Sequence, residues 1–296
     1  MTRDSPHTLL YILIAAMVVF WSANHSIGKI MLREFPPLLA GGLRISLAAV
    51  FLAPLYLLQR DGPSWSKQDL PALLFLGLAG IALNQAFFMI GLSRTSASHS
   101  VLIMGLTPIF VLLVAAAGKQ EHITPRKAAG MLTALAGVAI LNLQPATVGA
   151  PGSGPTALGD FFLALGALTF ALFTVLGKKL SLRHSSIAIN TFAYTSGSLA
   201  LAPLTIWQAW NFPFAHVSLG AWTSLLYMAM FPSVICYLIY CYALSHIPAS
   251  RVAAFAYLQP VLATTIAVLV LGERVTAPLV AGGAVIFSGV YLTERG

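Results

Sequence analysis

Of the 296 residues, 58% are hydrophobic and only 8% are charged, with a mean hydropathy of +0.86, whereas soluble domains average about a quarter charged residues. So few charges cannot cover the surface of a water-soluble globule, which excludes that class. The 16 Lys and Arg outnumber the 8 Asp and Glu, giving a net charge of +8. The basic residues stand singly or in pairs at the ends of apolar runs, so they read as topology determinants, with no nucleic-acid partner.

The first apolar run, from about Thr8 to Ile30, is long enough to cross a bilayer and has no small-residue cleavage site. It reads as a first span and not as a signal peptide. At roughly 20 apolar residues per crossing, the chain holds about ten spans. Hydropathy and turn residues place them at 8–31, 36–58, 69–92, 95–118 and 126–143, then 158–180, 185–208, 219–244, 248–271 and 277–293. The predicted fold is all-α, a polytopic membrane protein of ten transmembrane helices. It comprises a five-helix unit over 1–143, a Gly-, Pro- and Ser-rich uncharged linker at 144–157 and a second five-helix unit over 158–296.

Counted on alternate sides, one face collects Arg3, Arg60, Lys67, Lys119, Arg126, Lys127, Lys178, Lys179, Arg183, Arg251 and Arg295. The other holds Lys29, Arg33, Arg94 and Arg274, with Arg44 inside a span. The positive-inside rule then places both termini in the cytoplasm and the linker outside, with the protein in the bacterial inner membrane. Cys236 and Cys241 lie five residues apart on one helix, their backbones roughly 7.5 Å apart, which predicts no disulfide.

The two units repeat. Adding 152 carries Leu92-Ser93 onto Leu244-Ser245, Ala97-Ser98 onto Ala249-Ser250, Leu106-x-Pro108 onto Leu258-x-Pro260, Glu121 onto Glu273, Gly130 onto Gly282 and Gly137-Val138 onto Gly289-Val290. Near offset 149, Gly28-Lys29 falls on Gly177-Lys178. Because five is odd, the second copy enters the membrane from the opposite side. Such inverted repeats suit alternating access, since exchanging the conformations of the two halves reverses the side that is open.

The sequence resembles the EamA-type members of the drug/metabolite transporter superfamily. The likeness rests on Trp21-Ser22-x-Asn24 with Lys29, Arg44, Ala97-Ser98 with Pro108, and Glu121, then on Ala249-Ser250, Pro260 and Gly272-Glu273-Arg274 in the second copy. In the first copy Gln120-Glu121 replaces Gly-Glu. The resemblance implies a ten-helix transporter of metabolites with a central cavity lined by spans one, three, four, six, eight and nine.

Several polar residues fall where water is absent and must bond a neighbouring helix or a ligand: Asn24, His25, Asn84, Gln85 and Gln259. With Phe88, Tyr237, Tyr240 and Tyr257 they compose a candidate substrate site of amides and aromatics, joined by His99 as an entry-gate residue. Interhelical bonding and core packing are the competing reading of each. Pro108 and Pro260 are candidate hinges, each lacking one backbone donor; passive kinks are the alternative. Lys29 and Lys178 are expected to reach the interface, Arg251 to mark topology, and Arg44 to point inward and bond helix-end carbonyls.

All eight acids lie at span ends or in loops, which argues against a mid-membrane carboxylate relay. His25 and His99 are then the candidate proton carriers, with facilitation or exchange equally open. No phosphate loop, H-E-x-x-H or Cys-rich cluster is visible, so no metal, no cofactor and no enzymatic activity are expected. The function indicated is secondary transport of small organic metabolites, such as amino acids or related zwitterionic or aromatic solutes, with a small molecule and the lipid bilayer as partners and a homodimer left open. An anion exchanger of nucleotide-sugar or sugar-phosphate type, using Arg251, Lys29 or Lys178, is the alternative. A non-transporting scaffold or sensor is the reading from another class.

Overall fold

A computed structural model describes residues 5–59, 68–95, 97–141, 156–262 and 277–296. The first half builds α1 (Ser5–Ser22), α2 (Asn24–Met31), α3 (Pro37–Leu57), α4 (Leu70–Phe75), α5 (Asn84–Ser93), α6 (Ala97–Met104), α7 (Thr107–Ala117) and α8 (Pro125–Leu141). The second builds α9 (Ala157–Ser181), α10 (Ser186–Ala209), α11 (Leu219–Met228), α12 (Cys236–His246), α13 (Ala249–Ala254) and α14 (Ala277–Glu294). No strand occurs among the described residues.

Among the described residues five stretches are long and apolar enough to cross a membrane: Thr8–Met31, Pro37–Leu57, Leu70–Ser93, Ala157–Ser181 and Leu219–His246. The other predicted spans fall short for local reasons. The fourth is broken between α6 and α7, and α8 has only 17 residues. The 24-residue α10 carries Asn190, Thr191, Thr195, Ser196 and Ser198 along an otherwise apolar run. The ninth runs into residues 263–276, outside those described, as do Glu273, Arg274 and most of the linker.

Helix starts follow their sequence. Thr156, Ser185 and Ser218 cap α9, α10 and α11, each side-chain oxygen accepting from the backbone N–H three residues on, which satisfies a donor the helix cannot pair. Pro37 opens α3, where its missing N–H costs nothing. The exterior is apolar: Leu57, Leu58, Leu199, Trp207, Trp210 and Leu219 are all exposed. In water such a surface would aggregate; in a bilayer it faces lipid.

Contacts between the halves obey the repeat. Ser46 and Ser198, which are 152 apart, hydrogen-bond to each other at 2.7 Å. Trp21 and Phe170, 149 apart, touch edge to face at 5.8 Å. Only residues on a two-fold axis can meet their own equivalents in this way. The same exchange governs the packing of α8 on α14, where Gly130 lies against Gly289 and Gly137 against Gly282. A Cβ on Gly289 would stand 2.4 Å from the Ala134 nitrogen, so only hydrogen fits at this crossing.

Spans three and eight each widen into a π-helical stretch, at Leu76–Leu83 and Ala229–Ile235. Shifting the first by 152 gives 228–235, so the two widenings are equivalent. Such turns are uncommon and concentrate at functional sites. Spans four and nine are likewise interrupted at matched points. A turn at Gly105–Leu106 precedes Pro108 in the first turn of α7. A 3-10 turn at Phe255–Tyr257 precedes helical residues 258–262, which contain Pro260. The prolines therefore start new helical segments instead of kinking continuous ones, a change from the mid-helix kinks expected from sequence.

Candidate functional site

A cavity opens where the two halves meet. Its polar lining comes mainly from the first half: Asn24 and His25 of α2, Arg44 of α3, Asn84 and Gln85 of α5, and Thr107 of α7. The second half supplies Phe170, Tyr237, Tyr257 and Gln259, and Trp21 and Phe88 complete an aromatic wall. Many lining residues are repeat equivalents of one another: Gln85 and Tyr237, Met104 and Ala256, Gly105 and Tyr257, Thr107 and Gln259. The cavity thus sits on the axis that relates the copies.

The matched helix breaks create much of this space. Where α6 ends and α7 begins, the backbone turns away at Gly105, and the equivalent turn presents Tyr257. In span three the π-helical stretch ends at Asn84, so the change of helical pitch delivers Asn84, Gln85 and Phe88 to the lining.

Some of these groups are fixed by partners. His25 Nδ1 lies 2.7 Å from the Ser100 hydroxyl, tying span one to span four, and its ring meets Phe88 edge to face at 5.3 Å. Asn84 Nδ2 donates to the Gly166 carbonyl at 2.8 Å. Arg44 Nε donates to the Ser233 hydroxyl at 2.8 Å, Ser233 being within the second π-helical stretch.

Others have none. Asn24 Oδ1, Arg44 Nη1, Gln85 Oε1, Thr107 Oγ1 and the Tyr257 hydroxyl are buried and lack a hydrogen-bond partner, and all five residues line the cavity. Buried polar atoms are rarely left unpaired, because each forfeits about 1–3 kcal/mol of hydration. Five such atoms on residues around one cavity make it the place where a polar guest would find bonding partners.

Of the residues singled out by sequence, Asn24, His25, Asn84, Gln85, Phe88, Tyr237, Tyr257, Gln259 and Pro260 line this space. Tyr240 and Pro108 do not. Tyr240 is buried behind the wall, its hydroxyl 2.8 Å from Thr174 Oγ1 and its ring 5.4 Å from Trp21. The side chain of His99 lies outside the described residues. Trp21, Arg44, Thr107 and Phe170 join the site without having been assigned to it. Trp21 and Arg44 were visible as resemblance motifs, and Thr107 and Phe170 as the repeat equivalents of Gln259 and Trp21.

The structure gives three cations their partners. Lys29 and Lys178 bond backbone at helix ends: Lys29 Nζ donates to the Leu92 carbonyl at 3.0 Å, and Lys178 Nζ to the carbonyls of Leu244 and Ile247. Leu92 and Leu244 are equivalent, so both lysines close the C-terminal end of the third helix of their unit, where unpaired carbonyls gather. Arg44, expected to bond helix-end carbonyls, instead bonds a hydroxyl and enters the cavity. Arg251 lies 4.0 Å from Glu294 and outside the lining.

Away from the cavity, Glu121 holds the loop between spans four and five against the start of α13. It accepts from the Ser250 N–H at 3.0 Å and from the Ser250 hydroxyl, and pairs with Lys127 at 2.8 Å. Burial pushes the Glu121 carboxyl up, but the bonds from Lys127 and Ser250 outweigh it and hold the group below its ordinary value of 4.5.

Comparison with known proteins agrees with this architecture. The model of a family described as EamA-like transporters matches the chain twice, at residues 8–143 and 157–295. Similar proteins include the uncharacterised transporter YetK of Bacillus subtilis, 27% identical over 96% of this chain and 86% of that protein. An uncharacterised transporter of Archaeoglobus fulgidus is 28% identical over 96% of both. A probable terminal-alkyne amino-acid exporter of Streptantibioticus cattleyicolor is 27% identical over 85% of this chain and 83% of its own length. A solved crystal structure shares the fold with a TM-score of 0.77 at 19% identity, covering 97% of both chains.

Proposed function

The chain belongs to the EamA-like transporter family, and from that premise we propose that it is a secondary transporter of small organic metabolites, amino acids or related zwitterionic or aromatic solutes, working by alternating access. In this reading ten helices form two inverted five-helix units, 1–143 and 158–296, joined by an outer linker at 144–157, with both termini in the cytoplasm and the protein in a bacterial inner membrane.

The observation that carries it is the cavity on the axis between the copies, lined by aromatic rings and by five residues that each carry a buried polar atom with no hydrogen-bond partner among the described residues. A scaffold has no use for a polar void inside its core, because burying the same groups against each other is more stable. A zwitterion of amino-acid size satisfies both the polar atoms and the rings. The similarity to a probable amino-acid exporter supports the same class. The nucleotide-sugar alternative loses its proposed cations, since Lys29 and Lys178 are committed to backbone carbonyls and Arg251 lies outside the lining.

Purified protein in proteoliposomes tests the reading. Saturable uptake of radiolabelled amino acids, competed by unlabelled solute and absent from empty liposomes, is the expected result. Absence of saturable flux for every zwitterionic and aromatic solute tried would overturn it.

A further inference from the structure

We propose that Arg44 is the anchor for a carboxylate on the transported solute, and that the amide oxygens of Asn24 and Gln85 receive its ammonium group, so that the cavity selects α-amino acids by their backbone. This inference rests on the transport reading above and assigns a residue and a chemistry to it.

Arg44 sits in mid-protein with 2% of its surface exposed. A guanidinium carries five donors in a planar fork and stays charged. Among the described residues only Nε is used, on the neutral Ser233 hydroxyl, and Nη1 is buried without a partner. The groups that act on it electrostatically, Tyr194, Tyr237, Cys236 and His25, include no carboxylate. Four of the acids with described side chains are engaged elsewhere: Glu34 with Ser218, Asp69 with His184, Glu121 with Lys127, and Glu294 with Tyr11. Among the described residues Arg44 forms no ion pair.

A buried cation needs a counter-charge, and one set within a membrane protein commonly marks a ligand or its pathway. Arg44 also lines the cavity, so a solute that enters and draws the side chain toward it meets a guanidinium whose planar donors fit a carboxylate. The neighbouring orphans have the opposite character. Asn24 Oδ1 and Gln85 Oε1 are acceptors without donors, which suits an ammonium and repels a second anion. The aromatic wall of Trp21, Phe88, Phe170 and Tyr237 takes the side chain. The repeat sharpens the point: the position equivalent to Arg44 is Ser196 and that equivalent to Gln85 is Tyr237, so the charge is placed in one copy only and gives the guest a single orientation.

The test uses full-length protein in nanodiscs and proteoliposomes with the common amino acids as probes. Each is paired with its carboxamide, its decarboxylated amine and its deaminated acid; inorganic phosphate is included as a different anion. For wild type, the acids are expected to raise the unfolding midpoint and compete for uptake at least tenfold better than the matching amides and amines, with phosphate inactive. Charge-assisted bonds of about 1.5–3 kcal/mol convert to roughly ten- to hundredfold. In Arg44→Gln the preference for acid over amide collapses toward unity, and Arg44→Lys keeps part of it. That ratio would not move if Arg44 only packed, and the wild-type panel stands if both variants fail to fold. Equal uptake of acids and amides by wild type overturns the anchor and leaves the transport reading intact. A phosphate-selective response overturns the carboxylate. Failure of every probe to bind or to be transported overturns both.

Discussion

Replacing Glu121 by Gln tests the contact that ties the two halves together outside the cavity. The carboxylate pairs with Lys127 at 2.8 Å, with both side chains 9% exposed, and accepts from the Ser250 N–H and hydroxyl. Glutamine keeps an oxygen for the N–H but removes the charge, leaving Lys127 buried without its partner. Losing one member of such a pair costs about 3 kcal/mol, between a single charged hydrogen bond and a fully buried ion pair. For a chain of 296 residues that lowers the unfolding midpoint by roughly 5 °C. Ser250→Ala removes the hydroxyl bond alone and costs about 1.5 kcal/mol, and in a double-mutant cycle the two couple by roughly 1 kcal/mol. Cys236 and Cys241 are buried and free, so a thiol-reactive dye reports unfolding directly. The carboxyl is held below its ordinary value of 4.5, so its stabilisation is complete above that pH and is lost as pH falls through the lowered folded-state value. Wild type therefore loses more stability than Glu121→Gln between neutral pH and pH values below 4.5. A midpoint within 1–2 °C of wild type, or parallel acid profiles, would refute the latch.

Gly289→Ala drives a methyl into the Ala134 and Gly130 backbone, whereas Gly283→Ala meets only Val261 Cγ1 at 3.8 Å; the first should cost about 2 kcal/mol and the second nearly nothing in the same dye assay. Pro108→Ala with Pro260→Ala restores backbone donors at both helix breaks, and initial uptake rates should fall several-fold while the midpoint holds or rises; unchanged uptake removes the hinge role. Cysteine pairs Glu121→Cys/Ser250→Cys and Ser98→Cys/Glu273→Cys, in a background lacking Cys236 and Cys241, should crosslink in alternative molecules and each block flux; both bridges in one molecule would contradict exchange of the halves.

Much of the architecture was legible because it depends on residue classes. Apolar length gives spans, and equal spacing of small residues and prolines gives the repeat, whose signature survives in Ser46 meeting Ser198 and Gly130 meeting Gly289. The helix breaks were not legible: nothing about a proline separates a kink from a restart, because the difference lies in which neighbours occupy the freed carbonyls. The partners of the two lysines were not legible for a related reason. A Lys at a span end can reach water or a carbonyl with the same stem, and the choice depends on where Leu92 and Leu244 end their helices. Asn24, His25, Asn84, Gln85 and Gln259 line the cavity because intramembrane polarity is rare enough to be noticed one residue at a time. Arg44 was noticed and then assigned to carbonyls, since sequence does not show that Ser233 would meet only its Nε.

The repeat and the cavity make different demands on sequence, and the structure separates them. If the halves exchange conformations as proposed, what must be alike in them is what moves: both widen at Leu76–Leu83 and Ala229–Ile235, both close a helix end with a lysine, and both break before a proline. Two conformations related by that exchange have similar energy only if these features match, since any difference biases the equilibrium and slows one half of the cycle. The guest needs the reverse, because a symmetric pocket on a two-fold axis would offer it two equal and opposite poses. Replacing Gln85 by Tyr237, Thr107 by Gln259 and Arg44 by Ser196 across the axis breaks that degeneracy at the proposed site while leaving the matched helix ends alike.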